Sequence, residues 1–195
     1  MSSRVISGEG NGRLDFVGSA TKSFAFLQRW GFALTRREAT LARFESDRVF
    51  LNVYHGRSSY QLGLELGRLS GGDAYSLYEL LRALAPADIE RARCQTTDAE
   101  VLARCLASVA AIIEQHCEAL LRGDGNAFAA LSAAVAPHRK AITLDAQFGA
   151  IIDRADKAWE SKDFSEAIAL YEKSAPALDE TRMRRLEYLR KHERK

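Results

Sequence analysis

Apolar and polar residues alternate through the segment VFLNVYHGRSSYQLGLEL, Val49 to Leu66, on both sides of a short Gly/Ser break. A period of two is typical of a β-strand that buries one face, and a polar break of this kind is typical of a hairpin loop. The pattern therefore predicts strands over 49–54 and 60–66. Shorter patterns of the same kind predict strands over 40–45 and 32–35.

The hairpin has one apolar face and one mixed face. If Gly56 to Ser59 form the loop, Val53 pairs with Leu62 and Leu51 with Leu64, so we expect that face to meet the core. The other face carries polar and aromatic side chains, three of which are predicted to share one row (Arg43, Phe50 and Glu65). The sequence leaves open whether the protein's own helices cover this face. Its candidate partner-binding residues are Arg43, Phe50, Asn52, Tyr54 and Glu65.

Helical periodicity dominates the rest of the chain. One helix is predicted over 19–30, and capping boxes at Ser76–Glu79 and Thr97–Glu100 predict the start of two more. Another helix is predicted over 126–136, where Pro137 stops it. This order predicts an α+β fold: a small antiparallel three- or four-stranded sheet with helices packed on it, followed by an α-helical C-terminal part.

The expected domain organisation has three parts. Residues 1–15 are rich in Gly and Ser and are predicted to form a flexible N-terminus. Residues 16–140 are predicted to form the α+β domain. Residues 141–195 are predicted to form a helical hairpin followed by a basic C-terminal helix.

Composition narrows the class of protein. An apolar fraction of 47% with 28% charged residues is typical of a globular chain rather than a disordered one. No apolar run reaches the roughly 18 residues that a membrane-spanning helix needs, and the amino terminus has no apolar stretch typical of a secretory signal, so we expect a cytoplasmic protein that does not bind membranes. Three cysteines, Cys94, Cys105 and Cys117, favour reduced core thiols over a disulfide framework.

Basic charge is concentrated at the C-terminal end. Residues 182–195 hold seven Lys and Arg against two Asp and Glu. The segment 179–195 is predicted to be a helix whose narrow apolar stripe docks on the helix before it, with its basic side chains in water or against an acidic partner. The candidate partner-binding residues there are Arg185, Arg190 and Lys191.

The segment AIIDRADKAWESKDFSEAIALYEKSAP resembles a single tetratricopeptide-type helical hairpin, over residues 148–176. The resemblance rests on the small residues Ala155 and Ala167, the KDFSEA turn and Tyr171. It departs from the family at Lys162, where glycine is common, and there is no second repeat. The family binds proteins in a groove that one repeat does not make. The amino-terminal part resembles uncharacterised bacterial α+β proteins, a likeness that implies no activity.

The search for chemistry predicts no metal site and no cofactor. The four histidines have no partners at metal-ligand spacing, and His55 beside Arg57 and Tyr60 is the one titratable cluster predicted at a loop rim. We therefore expect a non-enzymatic protein-interaction module, such as an adaptor, a regulatory or an immunity-type protein, that binds another protein. The alternative is a nucleic-acid-associated protein that uses the basic C-terminal helix, and a second alternative is an enzyme of unknown class. The oligomeric state is left open.

Overall fold

The structure is a computed structural model that describes residues 15–193 and divides into two compact units between Ser132 and Ala133. The predicted flexible N-terminus lies, apart from Asp15, outside the described residues. The two units are described separately below.

The first unit is built on a five-stranded antiparallel sheet in the order β1-β2-β3-β4-β5. This confirms the α+β class and corrects the predicted strand number of three or four. The strand that was not predicted, β5, has three residues, which is too short to produce an alternating pattern. The strands are β1 (Ala33–Glu38), β2 (Leu41–Glu45), β3 (Val49–His55), β4 (Leu62–Arg68) and β5 (Ala74–Ser76).

The β3–β4 hairpin buries the predicted face but in a different register. Val53 lies opposite Leu64, two residues further along β4 than predicted, and Leu51 lies opposite Leu66. The loop is longer because Tyr60 adopts a left-handed conformation (φ 52°) and its amide donates to the carbonyl of Gly56 (2.8 Å). A shift of two residues keeps every side chain on its own face, so the prediction of the faces survives the wrong register.

Helices pack on the apolar face of this sheet. Val53, Leu51 and Leu64 on that face are fully buried. The ring of Phe24 packs on that of Phe44 with their centroids 6.1 Å apart. The helices of this unit are α1 (Phe16–Ser23), α2 (Leu77–Leu84), α3 (Ile89–Ala92), α4 (Ala99–His116) and α5 (Glu118–Leu121), with 3-10 turns at Ala25–Trp30 and Pro86–Asp88.

Of the two predicted capping boxes, one forms and one does not. Ser76 and Glu79 form the predicted capping box at the start of α2. At the start of α4 the cap is Asp98 rather than Thr97, because the Asp98 carboxylate accepts from the amides of Glu100 and Val101. α1 is capped by Asp15, and the predicted 19–30 helix is two shorter helices.

Cys94 and Cys105 form a disulfide bond, with their Cα atoms 6.1 Å apart. The expectation that all three cysteines are reduced is therefore wrong for these two. Cys94 lies in the connection between α3 and α4, which folds back beside α4. Cys117 is a free, buried thiol.

The second unit consists of helices. The helix α6 (Gly125–Glu160) begins in the first unit, whose last residue is Ser132, and runs through Pro137, which was predicted to end a helix at residue 136. Ala133 and Pro137 are both exposed, so the carbonyl that loses its amide partner can be hydrated. α7 (Phe164–Lys173), a 3-10 turn (Ala175–Ala177) and α8 (Glu180–Glu193) complete the unit. Its core is formed by Ala155, Ala158, Ala167, Ile168, Tyr171, Leu186 and Leu189.

Candidate functional site

The mixed face of the sheet, called the outer face below, carries a row of three hydrogen-bonded polar side chains. The strand register places Arg43 beside Asn52 and Asn52 beside Glu65. Arg43 Nη1 donates a hydrogen bond to Asn52 Oδ1, and Asn52 Nδ2 donates one to Glu65 Oε2. The donor–acceptor distance is 3.2 Å in both. The predicted row placed Phe50 where Asn52 stands, which is wrong because the β2–β3 and β3–β4 registers both differ from the predicted ones by two residues. Arg43 Nε also donates to Glu45 Oε1 (2.5 Å).

Two aromatic rings flank this row, and each lies over a glycine. The ring of Phe50 covers Gly67, where a Cβ atom would meet Phe50 Cζ at 2.7 Å, and the ring of Tyr54 covers Gly63 so closely that a Cβ atom there would overlap it. Because the rings lie against the neighbouring strand, both side chains are half-buried. The guanidinium carbon of Arg43 lies 4.2 Å from the centroid of the Phe50 ring.

Within residues 15–132, every hydrogen bond, ion pair and ring contact made by the side chains of the five candidate residues on the outer face is to another residue of the sheet. The apolar face, by contrast, packs on the helical side of the unit, where Phe24, the residue between α1 and the 3-10 turn, contacts Phe44. The outer face is thus held in shape by its own side chains. The pKa of Tyr54 is raised by burial and by the neighbouring negative charge of Glu65.

A cleft of about 390 Å³ adjoins the outer face at Tyr54. We call it the β4 cleft. Apolar side chains from β4, α2 and α3 line it, together with hydroxyl and amide groups from the hairpin loop. Its lining includes Tyr54, Gln61, Leu62, Leu81 and Cys94.

His55, predicted at a loop rim, lies in the core. It is 6% exposed and its ring stacks on Phe16 with the centroids 6.1 Å apart. Its Nε2–H donates to the carbonyl of Thr96 (2.9 Å), because a carbonyl oxygen only accepts. This hydrogen bond gives His55 a structural role in holding the α3–α4 connection.

The C-terminal helix is docked as predicted, but two of its three candidate basic residues are engaged in ion pairs. Arg185 Nη1 lies 3.1 Å from Asp156 Oδ1, and Arg190 Nη2 lies 2.7 Å from Glu172 Oε1. Lys191 is exposed. The expectation that these side chains stand in water or against a partner is therefore wrong for Arg185, which is half-buried against Asp156, whereas Arg190 stays exposed while it pairs with Glu172.

Asp156 is the centre of a polar cluster in the second unit. It accepts hydrogen bonds from Tyr171 Oη (2.7 Å) and from Arg182 Nη2 (2.7 Å), besides its contact with Arg185. Burial alone would raise the pKa of Asp156, but the hydrogen bonds from Arg182 and Tyr171 and the charges of Arg182 and Arg185 outweigh it. The pKa of this carboxyl is therefore lowered from its usual 3.8.

An aromatic cluster lies next to these arginines, and the sequence reading missed it. The Trp159 ring contacts Phe164 (5.9 Å between centroids) and Tyr188 (6.2 Å), and Tyr188 contacts His192 (4.3 Å). Phe164 and Tyr188 are 43% and 53% exposed. The four-residue spacing of Tyr188 and His192 on a predicted helix was the available signal. We call these four residues, together with Arg185 and Lys191 of α8, the aromatic–basic surface.

Comparison with known proteins found no matching family model, no similar curated protein and no similar solved structure. Within residues 15–193, no helix is both long and apolar enough to cross a membrane, and no three His, Cys, Asp or Glu side chains converge as metal ligands would. The outer face, the β4 cleft and the aromatic–basic surface are therefore the candidate functional sites.

Proposed function

We propose that this chain is a protein-interaction module and that its partner, another protein, binds the outer face of the sheet. The observation that carries the proposal is the hydrogen-bonded row of Arg43, Asn52 and Glu65 between two half-buried aromatic rings. Every polar and ring contact of this group is made within the sheet.

The residue types and their rigidity favour a protein partner. Tyrosine and arginine are enriched among the residues that dominate binding energy at protein interfaces. Arg43 is fixed by Asn52, Glu45 and the Phe50 ring, so little side-chain entropy is lost when a partner binds. The row presents both a positive and a negative end, which favours a partner that brings complementary charges.

The β4 cleft extends this surface. Its mainly apolar lining beside Tyr54 suits one apolar side chain of the partner, inserted while the rest of the interface lies over the outer face. The helical hairpin of the second unit, with the tetratricopeptide-type pattern of residues 148–176, supplies more surface. An adaptor, a regulatory or an immunity-type protein would use surfaces of this kind.

Charge exchange along the row tests the proposal without unfolding the sheet. Arg43→Glu alone places a carboxylate on each side of Asn52. The double variant Arg43→Glu, Glu65→Arg again has one acid and one base on either side of the amide, in reversed order. The Asn52 side chain can bond both because its amide group can rotate by 180°. Both variants lose the Arg43–Glu45 ion pair, so comparing them isolates the row. We expect the double variant to be more stable than the single variant, by the part of the loss that comes from the row.

Partner binding is read in the same variants by photo-crosslinking in the cells that make the protein. A benzophenone amino acid at Leu41, which lies beside Tyr54 on the outer face, should crosslink one discrete protein. The same probe at Ile142, 56% exposed on α6, is the control. The charge-exchanged double variant should lose the Leu41 crosslink while remaining folded. A crosslink that persists in this variant, or the same product from Ile142, would contradict the proposal.

A second candidate function is single-stranded nucleic-acid binding at the aromatic–basic surface. Exposed rings beside arginine and lysine are the combination that stacks bases and contacts phosphates. The ion pairs of Arg185 and Arg190 leave less free positive charge than the sequence alone indicated. Titration of a labelled oligonucleotide at two salt concentrations tests it: Tyr188→Ala with Lys191→Gln should weaken binding at least several-fold. Equal binding by the wild type and this variant would remove the candidate.

A further inference from the structure

The disulfide between Cys94 and Cys105 joins one wall of the β4 cleft to α4. Cys94 lines the cleft and is 8% exposed, whereas Cys105 is half-buried on the helix. The two residues are eleven positions apart in the chain.

We propose that Cys94 and Cys105 form a reversible thiol–disulfide exchange site, whose oxidation state fixes or releases the wall of the β4 cleft. The reagent that opens it is a dithiol reductant, and the reagent that closes it is a disulfide oxidant. This inference does not depend on the identity or existence of the partner proposed above.

The wall segment, residues 93–97, is held to the hairpin by hydrogen bonds that do not involve sulfur. The amide of Leu62 donates to the carbonyl of Cys94 (2.9 Å), and the amide of Thr96 donates to the carbonyl of Tyr60 (3.0 Å). Gln95 Nε2 donates to the carbonyl of Ser59 (2.8 Å). These bonds and the His55–Thr96 bond can still form after reduction, so the reduced protein keeps its fold. Without the covalent bridge, however, they break and re-form more often, and the wall opens more often.

Exposure determines where the reaction begins. A thiolate of the dithiol attacks Sγ of Cys105, the sulfur of the more exposed residue, and the Sγ–Sγ bond breaks. Cys94 leaves as a thiolate and takes up a proton. The second thiolate of the reductant then displaces Cys105, which is also protonated. Two electrons and two protons pass from the dithiol to the bridge, and the reductant becomes a disulfide.

Cys117 is a built-in control for this chemistry. Burial raises the pKa of the Cys117 thiol to about 12. At neutral pH this group is protonated and enclosed, so it neither attacks the bridge nor reacts with an alkylating reagent in the folded protein.

The test combines alkylation with amide hydrogen exchange on the full chain. The native protein is equilibrated with oxidised or reduced dithiothreitol, labelled with iodoacetamide and mapped by mass spectrometry. We expect no label on Cys94 and Cys105 after oxidation, label on both after reduction, and none on Cys117 in either state. Exchange of the Leu62 and Thr96 amides should be about tenfold faster after reduction, and that of the Tyr171 amide, in the second unit, unchanged.

Three results would overturn the proposal. The bridge would be absent if Cys94 and Cys105 stay labelled under oxidising conditions. It would be a fixed structural bond if reduction requires denaturant. It would be unconnected to the cleft if Leu62 and Thr96 exchange equally in both states. The double variant Cys94→Ser, Cys105→Ser should reproduce the reduced exchange pattern in oxidant, and Cys117→Ser should behave as the wild type.

Discussion

At the scale of single residues, neighbouring positions on β3 face opposite environments. Val53 is fully buried opposite Leu64, whereas Asn52 lies on the outer face between Arg43 and Glu65. Val53→Asp should lower the free energy of unfolding by several kcal/mol (~3–5), because it buries a charge without a partner. Asn52→Asp should cost about 1 kcal/mol or less, because Arg43 offsets the repulsion from Glu65. Urea denaturation measures both, and equal losses would contradict the assignment of the faces.

Lys162 gives a second prediction at this scale. It has φ 63° in the turn between α6 and α7, a conformation that is strained for a residue with a Cβ atom. Lys162→Gly should raise the free energy of unfolding by about 0.5–1 kcal/mol. Lys157→Gly, the same substitution at an exposed position inside α6, should lower it by about 1 kcal/mol. Urea denaturation followed by Trp159 fluorescence compares the two, and a loss for both would show that Lys162 is not strained.

At the scale of elements, α8 is attached to α6 through the Asp156 cluster. Arg182 donates to Asp156 through Nε (3.0 Å) and Nη2 (2.7 Å), while Arg184 on the same helix pairs with the exposed Glu180. Arg182→Gln should lower the free energy of unfolding by about 2 kcal/mol, because it leaves a half-buried carboxylate short of donors. Arg184→Gln should change it by less than about 0.5 kcal/mol. Chemical denaturation measures the free energy of unfolding of both variants. Similar losses for Arg182→Gln and Arg184→Gln would exclude a special role of Asp156.

The same cluster predicts a dependence on pH. The pKa of Asp156 is lower in the folded protein than its usual 3.8, so its ionised form stabilises the fold at neutral pH. This contribution is lost as the pH falls from about 4 through the lowered pKa. Asp156→Asn should therefore be less stable than the wild type at pH 7, and the difference should shrink as the pH falls below about 4. A difference that stays constant between pH 7 and pH 3 would contradict the lowered pKa.

Elements were predictable from the sequence where a local pattern decides them. Strand faces follow from a period of two, and the cap of α2 follows from Ser76 and Glu79, which are three residues apart. The hairpin register depends on a left-handed Tyr60 and on a bridge between Gln61 and Gln95, and no local pattern encodes either. The residues of the outer face could be predicted because alternate positions of a strand share a face. Which of them lie side by side could not be predicted, because that depends on the register.

Three further features depend on residues that are distant in the chain. The pairing of Cys94 with Cys105 depends on how the α3–α4 connection folds back, which spacing alone does not reveal. The ion pairs of Arg185 and Arg190 were not predicted because their partners, Asp156 and Glu172, belong to other helices. Pro137 was expected to end a helix because the local rule takes no account of the structure formed on either side.

At the scale of the whole molecule, each unit contains one of the two tryptophans, Trp30 in the first and Trp159 in the second. Single-tryptophan variants (Trp30→Phe and Trp159→Phe) therefore report on the units separately. Reduction of the Cys94–Cys105 bond should destabilise the first unit by about 3 kcal/mol, because the closed loop no longer restricts its unfolded state. The urea midpoint read from Trp30 should fall while that read from Trp159 stays constant. Equal shifts would show that the two units unfold as one.

The rings that lie on Gly63 and Gly67 have a consequence for evolution. A side chain at position 63 cannot coexist with the observed position of the Tyr54 ring, and the same holds for position 67 and Phe50. In divergent descendants of this sequence, an aromatic residue at position 54 should therefore occur with glycine at position 63, and a larger residue at 63 with a small one at 54. Position 67 should stay glycine whatever residue stands at position 50, because a Cβ atom there would also meet the backbone carbonyl oxygen of Asp73 at 2.5 Å. The coupled pair 54/63 and the fixed glycine at 67 would then form a signature by which distant relatives can be recognised even where the rest of the sequence has diverged.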